Sequence, residues 1–176
     1  MTDTLKLTGS ESVTIRFAAP DMLEVEATYA PTADKPPRHY HPEQDEHFEV
    51  LAGTIRVWIE GTERTLGAGE TIDIPRGAVH QMWNAGDEPA RVRWQTMPAG
   101  RTQLWFRSID ALHRQGRVGG SGMPGLLAFA SFLTEFRDTF RLVTPAAPAV
   151  RLLFAALAPI GRMRGYRPLS SPAGSK

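Results

Sequence analysis

The sequence predicts an all-β barrel or sandwich followed by an α-helical C-terminal extension. Two observations carry this reading. Through the first hundred residues apolar side chains alternate with polar ones, and turn residues interrupt them at short intervals. Near Pro98-Ala99-Gly100 the apolar period changes to that of a helix, and the charge changes with it. Residues 1–100 hold nine Lys/Arg against sixteen Asp/Glu, a net −7, whereas residues 101–176 hold eleven against three, a net +8. The formal net charge of +1 conceals that asymmetry.

The elements follow in order. Val13, Ile15 and Phe17 alternate with polar residues, as do Leu23, Val25, Ala27 and Tyr29. Ile55, Val57 and Ile59 repeat the pattern, then Ile72 and Ile74, then Val92 and Trp94. A half-buried strand requires this period, because successive side chains point to opposite faces. Ala19-Pro20-Asp21, Gly53, Glu60-Gly61, Gly67-Ala68-Gly69, Pro75-Arg76-Gly77 and Asn84-Ala85-Gly86-Asp87 mark the turns. Beyond residue 100, Trp105, Ile109 and Leu112 fall on one helical face, with Thr102 as the expected N-cap. A glycine-rich loop runs from Gly116 to Gly125, and a second helix follows with a stripe from Leu126 to Phe140. Pro145 and Pro148 are expected to end it. A third helix is expected over 149–163, carrying Val150, Leu153, Phe154, Leu157 and Ile160, and a disordered tail after Tyr166.

Composition narrows the function. An apolar fraction of 41% supports a packed core, and the absence of cysteine excludes disulfides and thiolate metal sites. No basic stretch leads into an apolar run at the N-terminus, and no apolar stretch approaches the ~20 residues of a membrane span. A cytoplasmic protein is the expectation. The basic residues of the second half are scattered among apolar ones, which reads as solvated helix faces rather than nucleic-acid contact, with a membrane-surface role for 149–167, through Arg151, Arg162, Arg164 and Arg167, as the alternative. No phosphate loop, nucleophile elbow or dinucleotide fingerprint is present.

The chemistry lies in two segments. His39 and His41 are two apart, which on a strand aims both imidazoles at one face. Pro42 to Asp45 reads as a turn, so parity restarts and Glu46 shares the inward face with Phe48 and Val50. His80, of one parity with Met82 and Asn84, supplies a third imidazole from a distant strand. His47 has the outward parity. Three imidazoles and one carboxylate suit a divalent Fe, Mn, Ni, Co, Cu or Zn ion and leave coordination positions open for water or substrate. Phe48, Val50, Ile55, Val57, Met82 and Trp94 are the candidate pocket lining.

These segments resemble the paired signature of the cupin superfamily. In the first, G-x5-H-x-H-x4-E-x6-G, His39, His41, Glu46 and Gly53 match, and Ala33 replaces the opening glycine. In the second, G-x5-P-x-G-x2-H-x3-N, Gly69, Pro75, Gly77, His80 and Asn84 all match. The resemblance covers about residues 10–98. It implies a jelly-roll barrel over residues 1–100, with 101–176 as a helical extension, and metal ligands His39, His41, Glu46 and His80. Small cupins of this form resemble quercetinase-like dioxygenases, so the expectation is an oxidoreductase acting on a small oxygen-bearing molecule, with Glu46 as ligand and catalytic base. A zinc-type isomerase or cyclase, or a non-catalytic ligand-binding module, are the alternatives. A homodimer is expected, since sheet edges need cover.

Overall fold

The computed structural model describes residues 3–143 and 147–169. In chain order they form β1 (Thr4–Lys6), β2 (Glu11–Ala18), β3 (Leu23–Tyr29), β4 (His39–Tyr40), β5 (Asp45–Ala52), β6 (Thr54–Ile59), β7 (Thr62–Gly67), β8 (Thr71–Ile74), β9 (His80–Trp83), β10 (Ala90–Met97), α1 (Thr102–Arg114), α2 (Leu126–Glu135), β11 (Arg141–Leu142) and α3 (Ala147–Met163). The strands build two antiparallel sheets, ordered β1-β2-β3-β10-β5-β8 and β11-β4-β9-β6-β7. Their non-sequential order is that of a jelly roll, in which closure protects most sheet edges.

Alternation does what the sequence requires of it. Along β3 and β5 every second residue is buried, so Leu23, Val25, Ala27 and Tyr29 share the inward face of one sheet with Glu46, Phe48 and Val50. Val13, Ile55, Val57 and Val92 complete that interior at 1% exposure or less. Each such side chain contributes on the order of 1.5–3 kcal/mol by leaving water. Phe17 departs from the pattern. The register of β2 on β3 shifts between Ile15 and Phe17, and this bulge turns Phe17 outward to 48% exposure. Gly53, Gly69 and Gly77 sit at φ of +76°, +86° and +82°, as their turn positions require. At Gly53 a Cβ would also lie 2.9 Å from Ala90 Cα.

The helical part is packed into the barrel's own core. Phe106, Ile109 and Leu112 of α1 belong to the same apolar cluster as Leu5, Leu23 and Val25. Asp110 of α1 accepts a 2.9 Å hydrogen bond from the Lys6 amide of β1.

Three expectations are corrected. Arg101, not Thr102, holds the N-cap position of α1, without a side-chain capping bond, and Thr102 is instead a buried first-turn residue whose hydroxyl accepts from Gln44 at 2.7 Å. The second helix stops at Glu135, because the chain turns over Phe136–Thr139 and then pairs as β11 with β4. Pro145 lies outside the described residues, and Pro148 stands inside α3 rather than before it. Most of the expected tail, from Ser170, also lies outside the described residues. Among the described residues no helix is long and apolar enough to cross a membrane.

Candidate metal centre

Four elements converge on one interior point. β4 delivers His39, the residues after it His41, β5 delivers Glu46, and β9 delivers His80. Antiparallel pairing sets His39 directly opposite His80, and Glu46 opposite Ile74 and Thr96. One ring nitrogen from each of His39, His41 and His80 lies within 4.8 Å of the other two. Glu46 Oε1 is 3.3 Å from His41 Nε2, and Oε2 is 3.2 Å from His80 Nε2. His41, Glu46 and His80 are 7%, 2% and 3% exposed.

The outer nitrogens define what the inner ones offer. Nδ1 of His39 faces Pro37 O at 3.0 Å, Nδ1 of His41 faces Thr139 O at 2.6 Å, and Nδ1 of His80 faces Ala78 O at 3.1 Å. A carbonyl only accepts, so each Nδ1 carries a proton, and in the neutral ring Nε2 is left with a lone pair facing inward. Glu46 Oε1 accepts from Trp94 Nε1 at 3.0 Å, while Oε2 is buried with no aligned donor. Lone pairs of imidazole and carboxylate thus face one another across about 3.2 Å, an arrangement that needs a proton or a cation between them. Two ligands each about 2.1 Å from one ion lie roughly 3.0–3.4 Å apart, so the Glu46–His41 and Glu46–His80 spacings fit a shared divalent ion.

Electrostatics agree. Burial, with help from the neighbouring His80 and His41, holds His39 well below the ordinary imidazole pKa. Burial likewise lowers His41 against the pull of Glu46. Burial would raise Glu46, yet His41, His80 and Trp94 outweigh it and hold the carboxyl below its ordinary value. For His80 burial acts downward, and the carboxylate of Glu46 prevails and raises it.

The centre opens onto a cavity of about 140 Å³ walled by Phe48, Met82, Trp94, Trp105, Phe106 and Phe140. Phe48, Met82 and Trp94 were expected there, whereas Val50, Ile55 and Val57 belong to the barrel core instead. His47 keeps its outward place and bonds Asp73 at 2.6 Å. Sequence reasoning missed several groups. Phe140 stacks on His39 with centroids 4.5 Å apart and on Trp105 at 5.3 Å. Nothing local in the sequence connects Phe140 or the Thr139 carbonyl to residues nearly a hundred positions earlier. Glu11 and Tyr29, cross-strand partners in β2 and β3, also line the cavity. Parity with the inward Val13 was the available signal for Glu11. Burial, offset in part by the Tyr29 hydroxyl, lifts the Glu11 pKa to about 7.

A family model described as "Cupin domain" matches residues 25–96. The chain carries a cupin domain over that segment. This cupin is 37% identical over 67 residues to the tetracenomycin polyketide synthase protein TcmJ of Streptomyces glaucescens, covering 38% of this chain and 45% of that protein. It is 39% identical over 69 residues to a germin-like protein (subfamily T member 2) of Arabidopsis thaliana, covering 36% and 31% respectively. The chain thus spans less than half the length of these curated relatives. Among solved structures, KdgF from Halomonas aligns over 57% of this cupin and 92% of that chain, with TM-score 0.53 and 21% identity. At that identity the likeness is one of fold.

Proposed function

We propose that this chain is a metal-dependent, dioxygenase-like oxidoreductase. Its substrate is a small oxygen-bearing organic molecule held in the cavity, and His39, His41, Glu46 and His80 hold a divalent transition metal ion. One observation carries the reading: three imidazoles and one carboxylate converge at one wall of an aromatic cavity. Such an ion, when bound, supplies a Lewis-acidic or redox-active position open to an oxygen ligand.

The remaining work falls to side chains. Trp94 holds Glu46 Oε1 by its indole N–H, which fixes the carboxylate plane and leaves Oε2 facing the centre. Glu46 is therefore placed to accept a proton from a phenol or enol that enters beside it. The rings of Trp94, Trp105, Phe106 and Phe140 exclude water and offer flat faces to a planar substrate. Glu11 and Tyr29 add a polar pair to an otherwise apolar wall. With its pKa near 7, Glu11 is partly protonated at neutral pH and donates a hydrogen bond to a substrate oxygen.

Elemental analysis of the purified protein beside His41→Ala tests the centre. Near-stoichiometric iron, manganese, nickel, cobalt or copper that the variant loses is the expected result, followed by O₂ uptake with flavonols, diketones or catechols. Absence of metal from both samples refutes it. A non-redox reading has one observation in its favour. The relative from Streptomyces glaucescens is named as part of a polyketide synthase, and the aromatic walls suit a polyketide-like ring. Zinc as the sole metal, with product formed in the absence of O₂, selects an isomerase or cyclase.

A further inference from the structure

α3 exposes a face that no described residue covers. Ten of its described side chains are exposed, and nine of those ten are apolar. Leu152 and Met163 are 73% and 79% exposed, Leu153 50% and Ile160 40%. The opposite face is tightly seated on α2. Ala158 is 1% exposed, and a Cβ at Gly161 would lie 2.5 Å from Leu127 O. α3 is therefore fixed to the protein while its outer face stays uncharged and wet, a large apolar area for a water-facing helix.

Charge decides between the candidate occupants. From Thr139 to Lys176 the sequence has six basic residues and no acidic one. Arg151 and Arg162 are about three turns apart and project to the same edge of the apolar face. Beside that edge a groove of about 310 Å³ between α2, β11 and α3 is lined by Arg137, Arg141 and Arg151 over Leu133 and Phe154. Among the described residues none of these three arginines pairs with a carboxylate, while Arg162 reaches Glu135 at 3.3 Å. Antiparallel packing of α3 on the α3 of a second copy would set the arginine edge against itself, with only Glu135, already paired to Arg162, beside it. An anionic, partly apolar surface answers both features.

We propose that α3 is an interfacial helix that docks this protein on an anionic phospholipid surface. Leu152, Leu153, Ile160 and Met163 enter the acyl boundary, and Arg151, Arg164 and the groove arginines meet lipid phosphates. α3 is not long and apolar enough to cross a bilayer, since its 17 residues include Arg151 and Arg162, and it lies in the plane of the surface. The assignment is independent of the metal centre.

Co-sedimentation of the full chain with vesicles tests it. Vesicles of equal parts phosphatidylglycerol and phosphatidylcholine are expected to pellet the protein, and pure phosphatidylcholine to leave it in solution. Arg151→Gln is expected to weaken the partition roughly fivefold, and Leu152→Glu at least tenfold, both with an unchanged thermal midpoint because both side chains are exposed. Failure to pellet with the anionic vesicles overturns the proposal, as does equal pelleting by neutral vesicles or pelleting that Leu152→Glu leaves unchanged. A solution dimer that Leu152→Glu dissociates also overturns it, and assigns the face to a second copy.

Discussion

Replacing Trp94 by Phe removes one hydrogen bond from the centre. The Trp94 indole N–H reaches Glu46 Oε1 at 3.0 Å, while its ring stacks on Phe48 at 5.4 Å and meets Phe106 edge-on at 5.1 Å. Phenylalanine keeps a ring in both contacts and loses the donor together with part of the indole surface. Glu46 is 2% exposed, so water does not replace that donor. A hydrogen bond to a charged group is worth about 1.5–3 kcal/mol. At about 2–4 °C per kcal/mol for a chain of this size, the metal-free variant is expected to melt about 3–12 °C lower. The freed carboxylate also loses its fixed plane, which is expected to weaken metal binding about 10–100-fold, as loss of an orienting partner does elsewhere. Trp105→Phe is the control, since it trims indole surface from the same cavity without touching Glu46. Thermal unfolding of the chelator-treated proteins gives the first number, and chelator competition with zinc or nickel gives the second. If Trp94→Phe matches the control in both, the indole does not hold the carboxylate and Glu46 is positioned by something else.

Two further outcomes follow from the cavity. A buried acid whose folded pKa is raised contributes stability below its unfolded pKa and loses it as pH rises through the folded value. Glu11, raised to about 7, should therefore make the wild type less stable as pH climbs from about 4.5 through about 7, and Glu11→Gln should lack that part of the decline in urea midpoints compared at pH 5 and 8. Phe140→Ala removes the ring stacked on His39 and Trp105, so zinc is expected to dissociate faster and unfolding to cost about 2 kcal/mol less; an unchanged zinc off-rate in a stopped-flow chelator chase would exclude Phe140 as a wall of the centre.

Much of the barrel was legible because period-two alternation is a local constraint. Val25, Ala27, Phe48 and Val50 point inward for the reason their spacing states. Glu46 was legible only through the turn at Pro42–Asp45, since counting straight from His41 would have set it on the wrong face. Phe17 was misread because a bulge adds a residue without a sequence mark of its own. The end of α2 was misread for a different reason. Phe136 and Phe140 continue a helical spacing, yet Phe136 is buried beyond the helix and Phe140 leaves it to stack on His39. Tertiary contact with an imidazole, and the pairing of Arg141 and Leu142 with β4, override the local preference there.

The same segment joins the two compositional halves at the centre. His39 and His80 take their Nδ1 acceptors from carbonyls two residues away, so their tautomers are fixed by the segments that lead into β4 and β9. His41 takes its acceptor from Thr139, 98 positions on. That carbonyl stays in place through neighbours outside the barrel. Arg101 donates to Asp138 and to the Glu135 carbonyl just before it, and β11 pairs with β4 just after it. An inward lone pair on His41 thus depends on the α2–β11 connection being folded. By linkage, any ion that binds this ligand set stabilises that connection as well as the barrel. The chain after residue 100 is in this sense part of the site, although its sequence contributes no ligand to it.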